Sequence, residues 1–471
     1  MNRRFCLAVA AASLPAAAHA APAPTLSDPD NQPVMLTVEI DPGPQNMARR
    51  AIPQIAPVLY VNRCEGGCTI FSGPDDARQS RSSIPDQDVE LSEFRHGDDT
   101  WNATVDCVRE VLEPYEIQVV TEDPGQSSHH RAIVAGTADE LGLDSPPEGQ
   151  IGGVAPLASD CRPLDNVLSF TFANTLQDNV IDLCWTVVHE AGHAFGLDHA
   201  FECSDPMTYI SGCGTKFFRD EPLACGEFEE RACQCGATQN SHQHLTGVFG
   251  EGTLPPPPTV QIANLQEGGT IADNSDVAFI ASHPRGISRV ALRVNGTQFG
   301  ESSGNDPGDD SYRLRLPQYP DGVLRIEAIA YNDLGVAGSD QVTVTKGEPC
   351  TSDDQCYAGM DCVDGGCEWP PAHLELGEEC EHERECISGL CPSSGGERYC
   401  SELCVPGFDD CPTGMECREA GSQGACWPEG AGGGGCGCAA SGPGSALSFG
   451  AVILAALLTL RRRRAHPAQR R

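Results

Sequence analysis

Three histidines and a glutamate in the middle of the chain have the types and spacing of a catalytic metal site. His189 and His193 are four residues apart, so on a helix they lie one turn apart on one face and can share one metal ion. Glu190 follows the first histidine, where its carboxylate can contact water on the metal. Gly196 can adopt the backbone conformation that ends a helix, which returns His199 as a third ligand. Three histidines with an open fourth position indicate catalytic rather than structural zinc.

These five positions match HExxHxxGxxH, and the chain therefore resembles the metzincin zinc metallopeptidases. A helix with satisfied surface histidines is the alternative, and it leaves the match at five positions unexplained. The resemblance covers approximately residues 57–250 and implies an α/β catalytic domain, Zn²⁺ as cofactor and protein or peptide substrates. It implies that His189, His193 and His199 hold zinc, which lowers the pKa of a water, while Glu190 takes the proton and returns it to the leaving amine.

The resemblance extends to residues after the third histidine. Metzincins place a methionine turn below the metal, and Met207 would form that apolar floor; ordinary core filling is the alternative and amounts physically to the same thing. Tyr209 matches the Met-x-Tyr of some branches, where the phenol assists the metal or the transition state, and a purely structural role is equally compatible. Ala200 stands where the known branches often carry a distinctive residue, so the branch and its specificity stay open.

A glycine-rich stretch ahead of the motif would, by the same resemblance, be the edge strand that pairs with extended substrate. A plain glycine-rich loop explains the same composition nearly as well, so both interpretations stay open. The residues concerned are Gly152, Gly153, Val154 and Ala155.

Apolar patterning predicts the elements that must position these residues. A helix is expected over 101–112, with Val105, Val108 and Leu112 on one face. Strands are expected over 58–61, 117–120, 132–135 and 167–172. Together with the helix that carries His189 and His193, called here the metal helix, they predict a mixed α/β domain over 57–250.

Different patterns follow this domain. A proline-rich linker over 251–258 leads into short alternating strands over 259–346, which resemble an immunoglobulin-like β-sandwich without cysteines. Residues 350–426 hold twelve cysteines but few core-forming residues, which predicts small disulfide-knotted repeats. Metal binding is the weaker alternative there, because no CxxC pair occurs.

Both ends carry export signals. Residues 1–20 have the arginines, apolar run and small-residue cleavage site of a signal peptide, and 21–56 are expected to be a linker or short pro-segment. The tail at 431–471 combines a Gly/Cys motif, an apolar run over 446–460 long enough to span a bilayer, and an arginine cluster. This tail resembles the myxobacterial C-terminal sorting signal, which implies a sorting protease acting near Cys436 or Cys438; a plain single-span membrane anchor is the alternative.

Charge and cysteine content narrow the function classes. With 67 acidic residues against 30 Lys and Arg, the surface should repel nucleic acid, so nucleic-acid binding is not expected. The acidity suits calcium, but no clear motif marks a Ca²⁺ site. Twenty-five cysteines indicate an oxidising compartment, and ten of them, from Cys64 to Cys235, allow five bridges of open pairing, with Cys184 placed to anchor the metal helix.

The sequence thus predicts a multidomain bacterial protein, extracellular or displayed on the cell surface or outer envelope. The expected fold class is an α/β metzincin-like catalytic domain, an all-β immunoglobulin-like sandwich, disulfide-rich repeats and a C-terminal single apolar helix. The expected function is that of a zinc-dependent metalloendopeptidase. Two alternatives stay open: a surface adhesin or binding protein with a structural zinc site, and a zinc hydrolase of non-peptide substrates. Glu190 argues against the adhesin, because a structural site has no use for a general base.

Overall fold

The computed structural model describes residues 34–40, 55–144, 151–305, 309–394, 397–404, 411–420 and 423–428. Two compact units divide between Pro370 and Pro371. The expected signal peptide at 1–20 and the expected tail at 431–471, with its apolar helix, lie outside these residues. Within them, no helix is both long and apolar enough to cross a membrane.

The first unit begins with a region built on a six-stranded mixed sheet, called here the mixed-sheet region (34–251). The sheet order is β1-β8-β9-β7-β2-β6; β8 and β9 are antiparallel and every other neighbouring pair is parallel. In chain order the elements are β1 (Val34–Ile40), β2 (Val58–Asn62), β3 (Cys68–Ser72), β4 (Arg81–Ser82), β5 (Val89–Leu91), α1 (Gly97–Leu112), β6 (Gln118–Val120), β7 (His130–Val134), α2 (Ala138–Leu141), β8 (Ile151–Ala158), β9 (Leu168–Thr171), α3 (Val180–Ala194) and α4 (Ser241–Phe249).

Alternation along the strands divides the core between the two faces of this sheet. Ala132 and Val134 of β7 face the cluster that contains α1 and α3. Ile133, between them, faces a second cluster with β3, β5 and α2. The spacing of Val105 and Val108 puts the apolar side of α1 on the first cluster, as the sequence predicts. The sheet and α1 thus form a rigid support beneath α3.

The expected fold class, with an α/β metzincin-like catalytic domain, is wrong for this structure. Strand outweighs helix among the described residues, at 35% against 15%, and they form 24 strands and four α-helices. Most of these strands lie after residue 258, outside the region that carries the histidine motif. The segment 195–240 forms no helix and is instead an irregular chain held by disulfides, among them Cys203–Cys213 and Cys225–Cys233.

The segment 21–56, expected to be a linker or short pro-segment without regular structure, contains one strand. Residues Val34–Ile40 form β1, which pairs in parallel with β8 from Val34 opposite Ile151 to Ile40 opposite Ala158. Val34, Leu36, Val38 and Ile40 alternate with other residues, and such a period-two pattern favours a strand. The segment therefore belongs to the sheet.

Residues 259–346, expected to form an immunoglobulin-like sandwich, form one three-stranded sheet (β10-β12-β15) and one five-stranded sheet (β11-β17-β16-β13-β14) around a shared core that includes Phe279, Leu292 and Ile326. The Asn295-Gly296 turn, with both residues at positive φ, joins β13 to β14. The strands are β10 (Thr259–Ile262), β11 (Gly269–Thr270), β12 (Asp276–Ser282), β13 (Arg289–Val294), β14 (Thr297–Ser303), β15 (Ser311–Arg315), β16 (Gly322–Tyr331) and β17 (Ala337–Lys346).

The disulfides expected over 350–426 are present. They form three successive modules, and each module joins its first cysteine to its third and its second to its fourth. The pairs are Cys350–Cys362 and Cys356–Cys367, Cys380–Cys391 and Cys386–Cys400, and Cys404–Cys417 and Cys411–Cys426. Bonded sulfurs offer no thiolate, so these cysteines are not metal ligands.

The first module, with β18 (Asp361–Val363) and β19 (Gly366–Glu368), packs into the core of the sandwich through Cys350 and Cys367. The other two modules belong to the second unit, whose strands are β20 (Ser393–Ser394), β21 (Glu397–Arg398), β22 (Leu403–Cys404), β23 (Met415–Ala420) and β24 (Gln423–Pro428). Eleven disulfides join the described cysteines. Disulfides at this density form in oxidising compartments, so the protein is extracellular or secreted.

Candidate metal centre

Helix α3 carries the first two histidines and has defined caps at both ends. Asn179 begins it by accepting a hydrogen bond from the backbone N–H of Ile181 at 3.0 Å. At the other end Gly196 has φ +97°, and the Gly196 and Leu197 amides donate to the carbonyls of His193 and Gly192. A Cβ at Gly196 would lie 2.2 Å from the carbonyl oxygen of Cys161, so only glycine fits this turn. The turn directs the chain back over the helix face that bears the histidines.

The structure brings His189, His193 and His199 together around one point. One ring nitrogen of each lies within 4.8 Å of the others, and the Nε2 atoms of His189 and His193 are 3.0 Å apart. All three side chains are buried. Because Nε2 of His199 is buried without a hydrogen-bond partner among the described residues, this point is suited to a cation that binds imidazole nitrogen.

The rings of His189 and His193 are each fixed through the nitrogen that faces away from the cluster. Nδ1 of His189 is 2.8 Å from the carbonyl oxygen of Pro206, and Nδ1 of His193 is 2.8 Å from that of Leu197. A carbonyl only accepts, so each Nδ1 donates and each Nε2 keeps a lone pair for a metal. Burial, reinforced by the neighbouring imidazoles, lowers the pKa of His189 and His193 well below its usual value and favours the neutral form that binds metal.

Glu190 lies beside this cluster with both carboxylate oxygens buried and unpartnered in the described structure. Burial raises the pKa of its carboxyl well above the usual value. Its side chain lies against β8 at Gly153, where an added Cβ would be 2.4 Å from Oε1. A buried carboxylate with no partner is costly, and the arrangement is that of a group kept free to exchange a proton.

Met207, the expected methionine floor, packs against α3 at Gly192. Its side chain is fully buried, and its sulfur would be 2.4 Å from a Cβ at Gly192. Glycine at position 192 therefore allows the methionine to pack against the face of α3 between the two histidines. The Met207 amide donates to Asp205 at 2.9 Å, which fixes the turn.

Tyr209 lies next to the cluster, with its ring centroid 4.6 Å from that of His199 and 6.0 Å from that of His189. Burial raises the pKa of its hydroxyl. The hydroxyl donates to the carbonyl oxygen of Met35 in β1. The phenol ring therefore lies next to the histidine cluster, and its hydroxyl is engaged in a hydrogen bond to β1.

The expected substrate edge is a strand, but it is not an edge in this structure. Gly152, Gly153, Val154 and Ala155 lie inside β8, and β1 covers the side opposite β9, with Met35 opposite Gly153 and Thr37 opposite Ala155. An extended peptide can pair with this side of β8 only when β1 leaves it.

Cys184 lies within α3 and is bonded to Cys107 of α1. The metal helix is therefore covalently tied to the helix beside it.

Other histidines contact structural partners. Nε2 of His130 lies 3.1 Å from Oγ of Ser169, and burial lowers the pKa of His130 to about 3. Nε2 of His244 lies 2.8 Å from the carbonyl oxygen of Phe195, which supports the end of α3.

One residue that the sequence analysis did not single out contacts the cluster directly. Oε1 of Glu227 is 2.6 Å from Nδ1 of His199. Twenty-eight positions separate the two residues, and no local motif marks the pair.

Comparison with known proteins adds little to this picture. No protein-family model matches the chain, and no curated protein matches it. Among solved structures, fibronectin(III)-like modules of CbhA from Clostridium thermocellum share 25% identity over 21% of this chain and 50% of that one, with a TM-score of 0.17. SGBP-B of the Bacteroides ovatus mixed-linkage glucan utilization locus, in complex with a heptasaccharide, shares 12% over 38% and 42%, with a TM-score of 0.15.

OgpA from Akkermansia muciniphila shares 10% identity over 64% of this chain and 96% of that one, also with a TM-score of 0.15. The chain spans half or less of the length of the first two matches. TM-scores this low support no conclusion about the function of the chain.

Proposed function

We propose that the chain is a zinc-dependent metalloendopeptidase that hydrolyses protein or peptide bonds outside the cell. The observation that carries the proposal is the convergence of three buried imidazoles beside a buried, unpartnered carboxylate. The match of the same residues to the metzincin motif supports it.

The residues present fit a zinc ion, because three neutral nitrogen ligands with a vacant direction are its usual catalytic donor set. His189, His193 and His199 would hold the ion through Nε2. When bound, zinc supplies Lewis acidity that activates water and polarises a carbonyl.

The chain's own groups account for the proton transfers. Glu190 takes a proton from the attacking water and delivers it to the leaving amine; its raised pKa suits a group that must both accept and release a proton. Its seat against Gly153 places the carboxylate beside the backbone of β8, where the scissile peptide of an extended substrate would lie once β1 is displaced. Tyr209 would donate a hydrogen bond to the developing oxyanion after its hydroxyl leaves Met35.

The adhesin alternative gives no role to Glu190. A structural zinc site gains nothing from a buried carboxylate without partners, and burial of such a group destabilises the fold. The proposal extends to location: display on a bacterial surface through the tail at 431–471, with processing near Cys436 or Cys438.

The test is a comparison of the full-length protein with its Glu190→Gln variant in casein and gelatin cleavage, with zinc content measured in parallel. Glu110→Gln, an exposed position on α1, is the matched control. Each protein is assayed untreated and after limited trypsin digestion stopped with a serine-protease inhibitor, because Arg49 and Arg50 separate β1 from the rest of the chain.

We expect chelator-sensitive cleavage by the wild type and by Glu110→Gln. Glu190→Gln should bind one zinc ion and lose cleavage by at least about 100-fold, because an amide cannot take the proton. Near-normal turnover by Glu190→Gln at full zinc occupancy would contradict the mechanism. No chelator-sensitive cleavage by zinc-loaded wild type under either condition would contradict the peptidase.

A further inference from the structure

The loop that follows the histidine cluster is built onto the segment that carries His199. The Cys225–Cys233 disulfide closes the loop, and the Cys225 amide and carbonyl pair with the carbonyl and amide of Arg231 at 3.1 and 2.6 Å. The Gly226 amide donates to the carbonyl oxygen of His199 at 3.0 Å. A Cβ at Gly226 would lie 1.9 Å from the carbonyl oxygen of Glu229, so this tight turn requires glycine. The base of the loop thus has little freedom relative to His199.

His199 needs support of a different kind from the other two histidines. His189 and His193 project from a regular helix, and backbone carbonyls hold their Nδ1 atoms. His199 lies beyond the helix, in irregular chain, and its Nδ1 is held by the carboxylate of Glu227 at 2.6 Å. A charge-assisted hydrogen bond of this length is stronger than a bond to a neutral carbonyl.

Glu227 is itself held by a closed ring of interactions. Arg231 donates from Nη2 to Glu227 at 2.8 Å and to Oδ1 of Asp198 at 2.8 Å, and from Nη1 to Oδ2 of Asp198 at 2.7 Å. Oδ1 of Asp198 also accepts from the His199 amide at 2.7 Å, and Oδ2 accepts from the Gln234 amide at 2.7 Å. The ring leads from the His199 backbone, through Asp198, Arg231 and Glu227, back to the His199 side chain.

We propose that Glu227, fixed by Arg231 and Asp198, is a positioning residue that holds His199 in the orientation and tautomer of a metal ligand. This inference rests on the proposed zinc function. With Nδ1–H donated to the carboxylate, the Nε2 lone pair points into the cluster, where that atom is buried and unpartnered in the described structure. A carboxylate on the far side of a ligating imidazole also makes the ligand a better electron donor.

The exposed side of the same loop supplies a matched control. Glu229 has the same side chain within the same disulfide loop, but it is exposed. Zinc affinity of the full-length protein is measured by competition with a chromophoric chelator for the wild type, Glu227→Ala, Glu227→Gln, Arg231→Met and Glu229→Ala. Circular dichroism and the melting temperature of each metal-free protein report on folding.

We expect Glu227→Ala to weaken zinc affinity by about 10- to 100-fold, the usual effect of losing such a partner. Glu227→Gln should lose less, because its amide oxygen still accepts from Nδ1, and Glu229→Ala should match the wild type. The visible spectrum of the cobalt-substituted protein should change in Glu227→Ala, because the third ligand is displaced; a residue that only stabilised the loop would lower the metal-free melting temperature and leave affinity and spectrum unchanged.

Wild-type zinc affinity and cobalt spectrum in Glu227→Ala would overturn the positioning role and leave the zinc site standing. Failure of the wild type to bind one zinc ion would instead contradict the proposed function. If Glu227→Ala does not fold, Glu227→Gln and Arg231→Met carry the test, and unchanged affinity in both would overturn the proposal.

Discussion

Gly153 is the position where one added carbon atom should most directly disturb Glu190. In Gly153→Ala the new Cβ would lie 2.4 Å from Oε1, 2.7 Å from Cγ and 2.8 Å from Cδ of Glu190, its three nearest atoms. Ordinary contacts of this kind are about 1 Å longer, so either the carboxylate or the strand must move. Since the glutamate is fully buried, it has little room to rotate. Overpacking of this size costs about 1–3 kcal/mol of unfolding free energy.

The stability assay is a double-mutant cycle with Glu190→Ala, which removes the atoms that Cβ would strike. We expect Gly153→Ala to destabilise the wild type by about 1–3 kcal/mol in denaturant unfolding, and to cost less than about 0.5 kcal/mol in the Glu190→Ala background. Gly300→Ala is the control, because Gly300 also lies in a strand but has no atom within 4 Å of the added carbon. An equal cost of Gly153→Ala in both backgrounds would refute the contact.

The same substitution should separate proton transfer from metal binding. A carboxylate displaced by about 1 Å can lower a catalytic rate on the order of 100-fold. Gly153→Ala should therefore bind zinc with wild-type affinity but lose kcat/KM for peptide cleavage by at least about 10-fold. Unchanged kcat/KM would show that Glu190 does not depend on this seat.

Three further results are expected. Gly196→Ala should lose zinc affinity and lower the melting temperature by several degrees, because φ +97° strains any side chain and the new Cβ would clash with the Cys161 carbonyl. Unchanged zinc affinity and melting temperature would contradict the need for glycine at this turn. Burial lowers the pKa of Lys216 from 10.5 to about 8, so the folded state releases a proton between pH 8 and 10.5 that the unfolded state keeps. The free energy of unfolding of the wild type should therefore rise with pH across that window, relative to that of Lys216→Met, by about 3 kcal/mol at most. Denaturant titrations of both proteins at pH 7 and 10 measure this, and an equal change in both would contradict it. Mild reduction should unfold the modules over 371–428 before the cysteine-free strands of 259–346. Hydrogen exchange resolved by peptide measures this order, and loss of protection in 259–346 first would contradict the prediction.

Local pattern was sufficient to predict the part of the site that lies on a helix. The four-residue spacing of His189 and His193 predicts their shared face, and the glycine at position 196 predicts the turn. The expected strands over 58–61 and 132–135 are also observed within a residue or two, as β2 and β7. In each of these cases the signal lies within a few neighbouring residues.

The errors arose where distant parts of the chain meet. The alternation in Val34–Ile40 is visible in the sequence, but its partner β8 lies more than a hundred residues away, so local pattern does not show that the segment joins a sheet. The expected fold class is wrong because the motif marks only one region of the chain, whereas 15 of the 24 strands lie after residue 258. Glu227 has no local sequence signature, and it contacts His199 where the loop closed by Cys225–Cys233 folds back onto the His199 segment.

The three anchors of the histidines differ in how far along the chain they lie, and this has a physical consequence. Leu197, which holds His193, is 4 residues away along the chain. Pro206, which holds His189, is 17 residues away, and Glu227, which holds His199, is 28 residues away. Only the first of these belongs to the cap of α3 itself. The others depend on irregular chain whose backbone geometry no helix or sheet imposes, and such chain keeps one conformation only if other bonds hold it. The disulfides Cys203–Cys213, Cys225–Cys233 and Cys161–Cys235 supply such bonds, so the geometry of the histidine cluster depends on oxidative folding as well as on the helix that carries its motif.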